Sequence, residues 1–77
     1  MFDFGTAITN LKIGEKVTRE GWNGKNMYLY YQLEKIVKKN QENITYLPYI
    51  VMKTADDKHV PWLASQTDIL SNDWGIL

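Results

Sequence analysis

The 77-residue sequence contains no cysteine and a single histidine, which excludes disulfides and leaves no obvious metal-ligand set, the two usual staples of a small fold. It also lacks an excess of either charge. Nine basic and nine acidic side chains cancel, so no net field draws the chain to a polynucleotide or an anionic membrane, and neither is expected as a partner. No apolar run approaches the roughly 20 residues of a membrane span. Met1 to Asn10 has neither the basic start nor the apolar middle of a signal peptide, so the expected location is the cytoplasm.

Catalytic patterns are missing as well. His59 stands beside a turn with no Ser-His or Cys-His arrangement around it. Asp56 and Asp57 lack the further oxygen ligands of a calcium loop and read as a turn. The glycines at 21 and 24 lead into a strand pattern and not into a helix, so they do not form a phosphate-cradling loop. The chain is expected to be no enzyme and to carry no cofactor.

What the sequence does have is aromatic surface, 13% of its residues. One domain spanning 1–77 is expected, and a chain so short buries a small fraction of its surface. More Trp and Tyr are present than such a core readily covers, which points to self-association or a lined pocket.

Local patterns give an α+β reading: a short N-terminal helix packed on a small antiparallel sheet, with a second short helix near the C-terminus. Phe4, Ala7, Ile8 and Leu11 recur at helical spacing and form one apolar stripe, with Asp3 as N-cap and Gly14 as stop. Val17 and Thr18 centre a brief strand. Met27 to Gln32, MYLYYQ, is the best candidate for a central strand, with Tyr28 and Tyr30 on one face. Tyr49 to Val60 reads as a hairpin turning at Asp56 and Asp57, with Ile50 and Met52 on one side. Leu33 to Tyr46 is compatible with a short helix, a ragged hairpin or a long exposed loop. Its Lys35, Lys38, Lys39 cluster reads as a solvated face that is also able to receive a phosphate.

The most informative stretch is Val60 to Trp74, VPWLASQTDILSNDW. Pro61 fixes its own φ and extends Val60, so the chain enters Trp62 from a strand. Ser65 is placed to cap a helix whose first turn holds Asp68, and Ile69 and Leu70 give that helix a small apolar face. Trp74, Ile76 and Leu77 then read as a last strand whose apolar end is packed.

In the second informative stretch, REGWNGK at 19–25, two glycines bracket Trp22 and Asn23 on backbone free to adopt positive φ. Packing is the default for such a ring. The other reading is a flat stacking surface for a base, with Asn23 able to donate and accept along its edge.

Together, GWNGKNMYLYY, YIVMKTADD and VPWLASQTD followed by DW resemble the small phage and bacterial domain family whose members include the second class of Thoeris anti-defence proteins. A FDFG-like start completes the pattern, and only about 32–47 departs from it. The resemblance implies a sponge: a protein that binds the cyclic nucleotide made by a bacterial immune system and holds it intact, so that the effector is not switched on. The implied ligands are cyclic ADP-ribose isomers, with cyclic dinucleotides in some relatives. The implied assembly is a homo-oligomer, often a tetramer, with pockets at subunit junctions.

On that reading Trp22 stacks the base and Asn23 reads its edge. Lys25 or Arg19 offsets phosphate charge, Ser65, Gln66 and Thr67 supply hydroxyl, amide and helix-start donors, and Asp68 or Asp73 accepts from ribose hydroxyls. Trp62 and Trp74 cement the second helix to the sheet. Three alternatives stand beside it: an interaction module that inhibits a host protein directly, an enzyme that hydrolyses the messenger, and a structural virion protein.

Overall fold

The computed structural model describes residues 1–22 and 25–77. Its elements run α1 (Phe4–Lys12), β1 (Val17–Arg19), β2 (Tyr28–Gln32), β3 (Lys35–Lys39), β4 (Glu42–Tyr46), β5 (Tyr49–Lys53), β6 (His59–Pro61), α2 (Gln66–Leu70) and β7 (Trp74–Ile76). Five strands form one antiparallel sheet in the order β6-β5-β2-β1-β7, and β3 and β4 form a hairpin of their own. The small α+β architecture expected from the sequence is the one observed.

The helix α1 forms where its ends are satisfied. The Asp3 carboxylate accepts from the Thr6 amide at 2.8 Å. At the other end Gly14 takes φ +97°, and the amides of Gly14 and Glu15 bond back to the carbonyls of Leu11 and Asn10. A left-handed glycine with that pair of bonds closes a helix without orphaned carbonyls. The apolar stripe faces the sheet. Ala7 and Leu11 are fully buried against Val17, Leu29 and Trp74, and Phe4 and Ile8 pack at the margin of that cluster.

Strand register decides which side chains share that face. Val17 lies opposite Leu29, Leu29 opposite Met52, and Arg19 opposite Trp74. Because side chains alternate along a strand, all of these point to the α1 side together with Tyr31 and Ile50. Tyr28, Tyr30, Val51 and His59 occupy the other face, where the Tyr30 hydroxyl and His59 Nδ1 share a 2.8 Å hydrogen bond. His59 is therefore packed on a tyrosine.

Four expectations are refined. The ambiguous 33–46 stretch holds a regular hairpin, turning through Asn40 (φ 51°) and Gln41 (φ 64°), the left-handed pair that a two-residue hairpin loop requires. The apolar residues of α2 do not form a buried face: no residue of that helix is buried, and Leu70 is 75% exposed. A five-residue helix has too few turns to present a stripe, and it is held by polar contacts instead. The C-terminal end is fastened through its backbone, Leu77 N–H donating to Lys16 C=O at 2.9 Å, while the side chains of Ile76 and Leu77 are exposed. Finally, Gly21 does not use positive φ. Its value lies in close approach, as the site shows.

Candidate ligand-binding site

The pairing of β1 with β7 brings the two informative stretches together. Arg19 lies opposite Trp74 in that ladder, so the turn after β1, which carries Gly21 and Trp22, lands beside α2 and the segment that precedes β7. The turn itself is fixed by backbone bonds, Trp22 N–H to Arg19 C=O at 3.3 Å and Glu20 N–H to Asp73 C=O at 3.1 Å.

The three tryptophans meet in one cluster. Trp74 is fully buried at its centre. Trp22 and Trp62 stand edge-on to it, with ring centroids at 5.4 and 6.1 Å and interplanar angles of 82° and 83°, and Phe4 closes the group at 5.5 Å. Tilted and T-shaped contacts are the geometry that opposes ring edge to ring face favourably. Trp74 is thus a core residue, and Trp62, half-buried, packs on it and on Phe4 of α1. Trp22 is half-buried at the rim.

Polar contacts converge on Asp68. Its Oδ1 accepts from Arg19 Nη1 at 2.7 Å and from Trp22 Nε1 at 3.1 Å. Its Oδ2 accepts from the Ser65 hydroxyl at 2.9 Å and the Ser65 amide at 3.3 Å, and the Ser65 hydroxyl in turn accepts from the Asp68 amide at 3.1 Å. That reciprocal pair is a capping box in which Asp replaces the commoner Glu. Asp68 C=O also receives Trp74 Nε1 at 3.0 Å. One residue therefore ties the α2 start to both Trp22 and Trp74.

Asp73 completes the network. Its Oδ1 accepts from Arg19 Nε at 2.8 Å, and its Oδ2 from the Gly21 amide at 2.7 Å. A Cβ on residue 21 would lie 2.9 Å from Asp73 Oδ2 and 3.0 Å from Arg19 Nη2, so glycine is the residue that lets this amide approach. The Arg19 and Asp68 side chains are only 12% and 13% exposed.

The electrostatics follow from those contacts. The hydrogen bond that Arg19 donates to Asp73 is the leading reason that Arg19 is held above its ordinary value. The same bond is the leading reason that Asp73 sits below its own. For Asp68, burial is the largest single influence and works upward, but bonds from Arg19, Trp22 and Ser65 together outweigh it and hold the carboxyl below its ordinary range. A carboxylate with several donors aimed at it is stabilised in its charged form.

The nine residues expected at the site fall into three groups. Arg19, Trp22, Ser65, Asp68 and Asp73 are brought into one hydrogen-bonded cluster in which the charges meet one another. Lys25, Gln66 and Thr67 are solvent-exposed. Asn23 lies outside the described residues, as does Gly24. What sequence reasoning missed is the link between Gly21 and Asp73 and the role of Arg19 as the bridge between two aspartates. No local pattern signals either, because the partners are separated by about fifty positions and meet only through the β1-β7 register. Among the described residues no group of three or more His, Cys, Asp or Glu side chains is arranged to hold a metal ion, and no helix is long and apolar enough to cross a membrane.

Residues 2–77 match the Thoeris anti-defense 2-like domain model. The chain belongs to that family. A curated relative, Thoeris anti-defense 2 of Bacillus phage SP01, is 40% identical over 82 residues, covering 96% of this chain and 92% of that protein. The matched residues 2–77 include both halves of the Arg19-Trp22-Asp68-Asp73 cluster.

Proposed function

We propose that this Thoeris anti-defence domain acts as a sponge: it binds a cyclic nucleotide immune signal, a cyclic ADP-ribose isomer or a cyclic dinucleotide, and holds it intact, so that the Thoeris effector is not activated. The observation that carries the reading is the state of Trp22, a half-buried aromatic side chain fixed by a T-shaped contact and by an indole hydrogen bond. A rigid aromatic surface stacks a base at little entropic cost. Lys25, Gln66 and Thr67 are exposed and supply a cation for the pyrophosphate and amide and hydroxyl groups for the ribose. Asn23 follows Trp22 in the chain, and its amide is assigned to the base edge. The Arg19, Ser65, Asp68 and Asp73 groups are met within the chain and support the site from behind.

On this reading the protein is not an enzyme and needs no cofactor. It works in the cytoplasm of the infected bacterium as a homo-oligomer, a tetramer in the pattern the family resemblance implies. Exposed Ile36, Leu47, Leu63 and Leu70 support self-association, since large apolar side chains in solvent favour an interface. The same side chains favour the second reading, direct inhibition of a host protein through an apolar surface.

Titration calorimetry against cyclic ADP-ribose isomers and cyclic dinucleotides tests the proposal, with Trp22→Ala alongside and chromatographic recovery of the ligand after denaturation. Tight binding, intact ligand and loss in the variant are expected. A folded oligomer that gives no heat with any of these nucleotides would shift the assignment to the protein-binding module, and a recovered hydrolysis product would make it an enzyme.

A further inference from the structure

Trp22 is half-buried at the rim of the aromatic cluster, and its indole is held by Asp68. The indole N–H is already donated, 3.1 Å to Asp68 Oδ1. That oxygen also receives Arg19 Nη1, and the other oxygen is taken up by Ser65. Arg19 is fixed in turn by Asp73, which grips the Gly21 amide one residue before the tryptophan. Both the backbone and the ring of Trp22 therefore end on the same Arg19-Asp68-Asp73 frame.

From this convergence we infer that Asp68 is a positioning residue: it sets the orientation of the Trp22 ring and acts on a bound nucleotide through that ring, without touching the nucleotide. The inference rests on the sponge reading for its ligand, and on the hydrogen-bond geometry alone for the ring. It departs from the direct role that the carboxylate's chemistry suggested, acceptance from ribose hydroxyls. A carboxylate whose two oxygens already receive four donors has little capacity left for ligand. An indole N–H given to a carboxylate is likewise not free to read a base edge, so Trp22 contributes stacking, and hydrogen-bond discrimination falls to its neighbours. A charge-assisted bond also holds the ring more firmly than a neutral one. Freezing the ring before binding removes an ordering cost from the complex.

The test has a ligand-free arm and a ligand arm. In the first, the indole N–H resonance of Trp22, assigned with Trp22→Phe, is followed together with acrylamide quenching in Asp68→Ala and Asp68→Asn. Loss of the Trp22 indole shift and a rise in quenching are expected in Asp68→Ala. Partial rescue is expected in Asp68→Asn, which keeps an amide oxygen as acceptor and an acceptable cap. A Trp22 resonance unmoved in both variants overturns the inference. Should Asp68→Ala fail to fold, Asp68→Asn decides the ring arm alone, because exchanging a charged for a neutral acceptor still moves the indole proton if that bond is made.

The ligand arm is a double-mutant cycle, titrating whichever cyclic ADP-ribose isomer or cyclic dinucleotide the wild-type protein binds. Asp68→Asn is expected to weaken binding several-fold and up to about tenfold in the wild-type background, the scale of exchanging a charge-assisted hydrogen bond for a neutral one. In the Trp22→Phe background, where no indole N–H remains, it is expected to change affinity by less than about twofold. Equal losses in both backgrounds mean direct contact and overturn the inference. Absence of wild-type binding to every probe overturns the sponge reading, and the ring arm still decides whether Asp68 orients Trp22.

Discussion

Gly21 matters for what its missing side chain leaves room for. Its amide reaches Asp73 Oδ2 at 2.7 Å only because no Cβ stands between them. The atoms a Cβ would meet are the ends of the Asp73 and Arg19 side chains. Such ends are usually cheap to displace, but here each is pinned by the other at 2.8 Å. Gly21→Ala is therefore expected to lower stability by about 1–3 kcal/mol, the range for forcing extra volume into a filled space. It should also loosen Trp22, read by denaturant unfolding and by tryptophan emission. An unchanged unfolding midpoint would mean that Asp73 and Arg19 shift aside freely. Asp68 shows the same economy on a larger scale, one carboxylate and one carbonyl meeting Arg19, Ser65, Trp22 and Trp74.

At the scale of elements, α2 and the β3-β4 hairpin are each too small to stand on buried area. An isolated helix of five residues is far below the length that is stable in water. α2 persists because Ser65 and Asp68 close its first turn reciprocally and because Asp68 is bonded to β1, to Trp22 and to Trp74. The hairpin is more exposed still. Every residue of β3 is exposed, and a two-stranded hairpin with both faces wet is marginal. Its turn places Gln41 at φ 64°, where a residue with a Cβ pays about 1–2 kcal/mol relative to the right-handed region. Gln41→Gly, which makes the turn Asn-Gly, is expected to strengthen the arm by about 1 kcal/mol. Hydrogen exchange of the β3 and β4 amides would show it as added protection confined to the arm. Equal protection in both proteins would mean that the arm is held by contacts other than its turn.

For the whole molecule, the carboxylates define an acid limit. Asp3, Asp57, Asp68 and Asp73 all lie below the ordinary value of 3.8 in the folded chain. Thr6 backbone bonding leads for Asp3 and the Lys53 hydrogen bond leads for Asp57. A depressed carboxyl stabilises the folded state above its unfolded value and loses that contribution as pH falls through the folded value. Stability is thus expected to be insensitive to these groups near neutrality, to begin falling around pH 3.8 and to fall further below it. Unfolding midpoints measured from pH 7 to pH 2 check this, with Asp68→Asn expected to flatten the acid limb. A limb of equal slope in that variant would remove Asp68 from the account.

The sequence by itself determined the local pieces: α1 with its Asp3 cap and Gly14 stop, the alternating faces of β2 and β5, and the Ser65 start of α2. These depend on interactions within a few residues, where spacing and side-chain chemistry carry the physics. The same information placed Trp22 and Asp68 among the site candidates. Only the tertiary structure decided how they relate. Arg19 meets Asp68 and Asp73 across about fifty residues because β1 pairs with β7 in one register, and a shift of one residue would put Arg19 and Trp74 on opposite faces of the sheet. The 34–46 hairpin stayed illegible for a related reason. With neither face buried, nothing selects an alternating pattern, and its turn uses Asn-Gln in place of Asn-Gly, so its pairing emerges from backbone geometry that composition does not record.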